Sequence, residues 1–147
     1  MNNARRTFLG ALGALAALGA LPRAQAATPM TMYMNIGCGC CEQWESHMRA
    51  HGFAIEKHRV ADVTPMKRTL GVPENLYSCH TAVIGGYVIE GHVPAADVQR
   101  LLHERPKVKG LSVPGMVSGS PGMDQGPAQP FATIAFDERG TQVYARH

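Results

Sequence analysis

Met30-Thr31-Met32-Tyr33-Met34-Asn35-Ile36-Gly37-Cys38-Gly39-Cys40-Cys41 changes its backbone period within a few residues. Methionines at 30, 32 and 34 recur at every second position, the repeat of a β-strand with one buried face, and their plain role is core packing. Gly37 and Gly39 break the strand, and Cys41–His51 then reads as a helix closed by Gly52. Three of the chain's four cysteines therefore fall where a strand turns into a helix. Their spacing, C-x-C-C, is a C-x-x-C (Cys38 to Cys41) with an extra thiol inside it. Such a knot of thiols has little packing value and points to soft-metal binding or thiol redox chemistry.

Beyond that junction, strands and helices alternate. Phe53–Val60 reads as a second strand, and Thr64-Pro65 opens a short helix that stops at Gly71. Thr81–Ile84 and Tyr87–Glu90 flank Gly85-Gly86, a hairpin signal. Pro94–Glu104 is a helix with Val98, Leu101 and Leu102 on one side, ended by Pro106. Residues 110–130 carry most of the loop signals, and Phe131–Phe136 with Thr141–Ala145 forms a last hairpin. This order predicts a single α/β domain of thioredoxin-like type, a mixed central sheet flanked by helices. In that fold the C-x-x-C opens the first helix, and the segment entering the hairpin, Ser78-Cys79-His80-Thr81, passes beside it. Thioredoxins place a cis-proline there; this chain has Cys79-His80, a fourth thiol.

Residues 1–26 read as a cleaved export signal. Arg5-Arg6-Thr7-Phe8-Leu9 precedes an apolar run to Leu21, then Ala24-Gln25-Ala26 supplies a small-residue cleavage pattern. The paired arginines followed by Phe-Leu match the twin-arginine type. A membrane anchor needs about 20 strongly apolar residues, more than this run offers. Export places the mature chain, residues 27–147, in an oxidising compartment, the periplasm. Arg5, Arg6 and Arg23 are three of the 14 basic residues, so the mature part balances 11 bases against 11 acids. Nucleic-acid binding and attachment to an anionic membrane have no charge to support them.

Gly37-Cys38-Gly39-Cys40-Cys41, Trp44, His47, Gly52-Phe53, Gly71-Val72-Pro73, Ser78-Cys79-His80-Thr81-Ala82, Gly86–Ala95 and the two Pro-Gly-Met turns ending at Met116 and Met123 stand in sequence order. Together they resemble the CopG-type periplasmic metal-binding proteins, a family long classed as a domain of unknown function and associated with copper resistance. The resemblance runs through the mature chain to Met123. It implies a thioredoxin-like fold and copper binding through Cys38, Cys40, Cys41 and Cys79.

The residues can also be weighed alone. Structural zinc sites usually pair two knuckles, whereas these cysteines divide three and one. Helical neighbours such as Cys40 and Cys41 diverge by roughly 100°, which suits bridging sulfurs in a small Cu(I) cluster better than one tetrahedral ion. Zinc is the alternative metal, and two structural disulfides are the metal-free alternative. His47 lies about 10 Å up the helix from Cys40, while ligands of one ion stand about 4.4 Å apart, so it is expected beneath the site with Trp44. His80, beside Cys79, is the best accessory donor. His51, His58 and His103 read as surface residues, and His92 leaves both readings open. Met116 and Met123, on a glycine-rich loop, are expected as thioether contacts or as buried loop anchors.

These expectations add up to an exported protein that sequesters Cu(I) or passes it to another periplasmic carrier or efflux component. The alternative from another class is a thiol–disulfide oxidoreductase, alone or coupled to copper, with Cys38 as nucleophile and Cys41 as resolving thiol.

Overall fold

The alternating methionines of β1 (Thr28–Asn35) are all buried, and the strand lies between parallel β2 (Phe53–Val60) and antiparallel β3 (His80–Ile84). The computed structural model describes residues 26–147; the export signal expected over residues 1–26 lies outside them except for Ala26. Between and after these strands come α1 (Gly39–Ala50), α2 (Thr64–Thr69), a single 3-10 turn (Glu74–Leu76), β4 (Tyr87–Gly91), α3 (Ala95–Glu104), β5 (Gly110–Val113), β6 (Ala132–Asp137) and β7 (Gly140–Arg146). The strands form one mixed sheet in the order β2-β1-β3-β4-β5-β6-β7. The expected mixed α/β single domain is therefore what the chain forms.

Period-two alternation sends side chains to two separate cores. Met30, Met32, Met34, Ala82, Ile84, Ile89, Leu111, Val113 and Ala135 face α1 and α3. Val88 and Phe136, from the other side of the same sheet, pack with Val72 and Leu76 around α2 and the 3-10 turn. In α1 the buried residues Cys41, Trp44, Glu45 and Met48 recur at i, i+3, i+4 and i+7, which fixes the face laid on the sheet. Each large apolar side chain buried this way contributes about 1.5–3 kcal/mol.

Most boundaries shift by a residue or two, and two differences bear on the site and the sheet. The first helix begins at Gly39, not Cys41, because Cys38 stands at its N-cap position and its carbonyl accepts the Glu42 N–H at 3.3 Å. All three clustered cysteines thus belong to one helix start. Residues 110–113 are strand β5, not the opening of a loop; all four residues are buried, parallel to β4 and antiparallel to β6. Gly-Leu-Ser-Val is short and glycine-led, so its local signal is that of a turn. Gly110 is needed because a Cβ there would run into the Val88 carbonyl. Among the described residues, no helix is long and apolar enough to cross a membrane.

Candidate metal centre

Two strand registers converge on Cys79. The β1–β3 ladder pairs Met34 with His80, so Cys79 stands level with the end of β1, where the chain turns into Cys38. The β3–β4 ladder pairs Thr81 with Glu90; continued outward by two residues, it sets Cys79 opposite His92. The start of α1, the entry to β3 and the exit of β4 therefore meet at one point.

At that point Cys38, Cys40, Cys41 and Cys79 gather with all four sulfurs within 4.8 Å of one another. Cys38 and Cys41 are joined as a disulfide, while Cys40 and Cys79 are free thiols. The Cys40 Sγ lies between the others, 3.6 Å from the Cys38 Sγ and 3.7 Å from the Cys79 Sγ. Cys41 is fully buried and Cys38 partly exposed, so the disulfide presents Cys38 to solvent.

Cys79 also belongs to a second group. Its Sγ lies 2.9 Å from the His92 Nε2 and 3.3 Å from the His80 Nδ1, and both imidazoles are buried. The tautomer of His92 follows from its other side, where Nδ1 stands 2.8 Å from the Pro121 carbonyl. A carbonyl only accepts, so Nδ1 carries the proton, leaving a bare Nε2 lone pair aimed at the Cys79 sulfur. The backbone orients His92 as metal-bound imidazoles are commonly oriented. The His80 Nε2 is buried without a hydrogen-bond partner. A buried orphan nitrogen costs stability unless something else completes it.

Burial governs the protonation of all three groups. It pushes the Cys79 thiol up to about 12, with the neighbouring Cys40 adding to the shift and Lys67 opposing it. Burial likewise holds His92 below the usual imidazole range and His80 well below it. The unfolded chain therefore takes up protons below about pH 6.5 that the folded chain refuses. The histidines' contribution to stability is present above that pH and is lost as pH falls from it through the depressed folded values. The melting temperature of the metal-free protein is expected to drop from pH 7.5 to 5.5, and the drop should shrink in His92→Gln. Identical pH slopes for the two proteins would show that His92 is not held neutral by the fold.

The other expected residues are placed as follows. Trp44 packs under the site, its ring centroid 4.4 Å from that of His80 and its Nε1 donating to the Val93 carbonyl at 2.9 Å. His47 stands apart from both groups, with its Nε2 accepting the Ala95 N–H at 3.2 Å where α3 begins. His51, His58 and His103 are exposed. Met116 is 61% exposed and Met123 partly buried. Between them the loop presses on α1, since a Cβ on Gly122 would lie 2.7 Å from the Trp44 nitrogen and 2.9 Å from the Cys40 carbonyl.

His92 is the residue of this cluster that the sequence left undecided. Its signal was present: Gly85-Gly86 fixes the hairpin, and counting outward from it pairs position 79 with position 92.

Two solved structures, both titled copper resistance protein CopG (form 2 and form 1), align with TM-scores of 0.78 and 0.77. Each is 40% identical, and the alignment covers 82% of this chain and 98% of the other. The chain belongs to the CopG family. A family model described as a protein of unknown function, DUF411, matches residues 76–123. That CopG segment runs from the turn before Cys79, through His80 and His92, to Met123. No curated protein matches the chain.

Proposed function

We propose that this chain binds Cu(I) through Cys38, Cys40, Cys41 and Cys79 and sequesters or transfers it in copper resistance, with His80 and His92 as imidazole donors beside Cys79. The observation that carries this reading is the gathering of four sulfurs within 4.8 Å in a member of the CopG family. The donor set fits the cargo: thiolates are soft, imidazole suits copper as well, and the orphan His80 Nε2 is a buried polar atom awaiting a partner.

The residues would act in a fixed order. An external dithiol first supplies two electrons and two protons, opening the Cys38–Cys41 disulfide to two thiols and becoming a disulfide itself. Copper then displaces thiol protons. Three of the sulfurs sit at the start of α1, where the helix dipole favours thiolate. The Cys79 proton faces the bare Nε2 of His92. Trp44, His80 and the loop at Gly122 close the site from the interior. Met116 and Met123 offer thioethers on that loop, and we keep them as accessory donors. His47 positions the start of α3 instead.

Anaerobic titration of the fully reduced protein with Cu(I) against a coloured chelator tests the assignment. It should take up copper in preference to zinc, and failure to compete with the chelator would sink it. The site belongs outside the cytoplasm, in the periplasm, if residues 1–26 are removed on export. Mass spectrometry of the secreted chain should then find Ala27 first, and retention of Arg5 and Arg6 would overturn this.

A second reading rests on the disulfide. A partly exposed Cys38 bonded to a buried Cys41 is how a thiol–disulfide oxidoreductase presents its attacking and resolving sulfurs, alone or coupled to copper. Reduction of insulin by the reduced protein at rates above free dithiol would favour it.

A further inference from the structure

Behind Cys79, on the face of the sheet away from α1, lies a pair of charges that metal binding does not use. Lys67, from the six-residue helix α2, is buried against Glu90 of β4, with Nζ 2.6 Å from Oε1. The pair is closed by Thr81 of β3, which accepts from Lys67 at 2.9 Å and donates to the Glu90 Oε2 at 2.6 Å. The fourth member is the Ser78 N–H, which donates to the Glu90 Oε1 at 2.6 Å. That amide belongs to the residue directly before Cys79. Gly91 completes the seat, because any Cβ there would strike the Ser78 side chain.

Burying two charges costs more than burying an apolar pair of the same volume, so the ring is a poor choice for stability alone. What apolar side chains cannot do is hold a backbone N–H. We propose that Glu90, neutralised by Lys67, is a positioning residue of the metal centre: its carboxylate fixes the Ser78 amide and thereby sets where Cys79 stands relative to Cys40. The proposal rests on the copper reading for its purpose, though not for its geometry. The Lys67 charge is felt at both Cys79 and His80, which fits a ring built against the site.

Two double variants separate positioning from stability, since both remove the ion pair. Lys67→Met/Glu90→Gln keeps a carbonyl oxygen for the Ser78 amide, whereas Lys67→Met/Glu90→Leu leaves none. Each is placed in a Cys38→Ser/Cys41→Ser background, where diamide can oxidise only Cys40 and Cys79, taking two electrons and two protons to form their disulfide. The glutamine variant should form that disulfide at close to the parent rate, and the leucine variant about tenfold more slowly or worse. In chains with all four cysteines, Cu(I) affinity should fall by about tenfold or more only in the leucine variant. Equal disulfide rates in the two variants would overturn the positioning role. Should the leucine variant lose its cooperative melt, Glu90→Asp replaces it: the charge stays with Lys67 but withdraws from Ser78, and a parent-like disulfide rate there would overturn the proposal equally. If the unaltered protein takes up no Cu(I) while the disulfide rates keep their predicted order, the copper reading falls and the positioning role stands.

Discussion

Cys79→Ser is expected to weaken Cu(I) binding by at least about 100-fold, or about 2.7 kcal/mol, while leaving the fold intact. Serine is nearly the same size, and its hydroxyl can still donate to the bare Nε2 of His92, so the metal-free structure loses little. A hydroxyl, however, does not ionise at neutral pH and is a hard donor, so a soft ion held as proposed would lose one of its sulfurs. Among the described residues, Cys79 is also the one residue shared by the sulfur group and the imidazole group, and removing it severs one from the other. Chelator competition on the reduced variant measures the effect. Unchanged affinity would place Cys79 outside the site, whatever its distance from Cys40.

The second large effect is redox control of capacity. With Cys38 and Cys41 joined, only Cys40 and Cys79 remain as thiols. Thiol counting on the oxidised, unfolded chain should give two, and after reduction four. Cu(I) affinity should rise by at least about 1,000-fold on reduction, about 4.1 kcal/mol, because two sulfurs are returned to the centre. The Cys79 thiol should also react slowly in the folded, metal-free protein. Burial pushes the Cys79 thiol up and keeps it protonated near neutral pH, so its alkylation should lag far behind that of the unfolded chain. Equal copper affinity in the oxidised and reduced forms would mean that Cys38 and Cys41 do not hold the metal.

Much of the fold could be read from residues 28–104, where each strand and α-helix carries its own local signal. Alternating methionines marked β1, Thr64-Pro65 opened α2, and Gly85-Gly86 set the hairpin. The tail was harder. Strand β5 is four residues long and wholly buried, and it exists because β4 and β6 supply its hydrogen bonds from either side. No short-range rule would choose Gly-Leu-Ser-Val as a central strand.

The site divides in the same way. Residue chemistry and spacing named the four cysteines and His80, because a C-x-C-C at a strand–helix junction and a lone Cys-His ahead of a hairpin are local patterns. Chemistry alone could not decide which sulfurs pair, and the fold joins the two ends of the C-x-x-C while leaving Cys40 between Cys38 and Cys79. Nor could it raise His92 above His47: both are single histidines in ordinary contexts, and only sheet register brings one to the Cys79 sulfur while helix packing carries the other to the start of α3. The buried Lys67–Glu90 ring was invisible for the same reason. Its members lie 23 residues apart and look like surface charges until a short helix is folded across the far side of the sheet. Local sequence fixes which donors the chain owns; long-range register, set by burial of one strand face, fixes which of them meet.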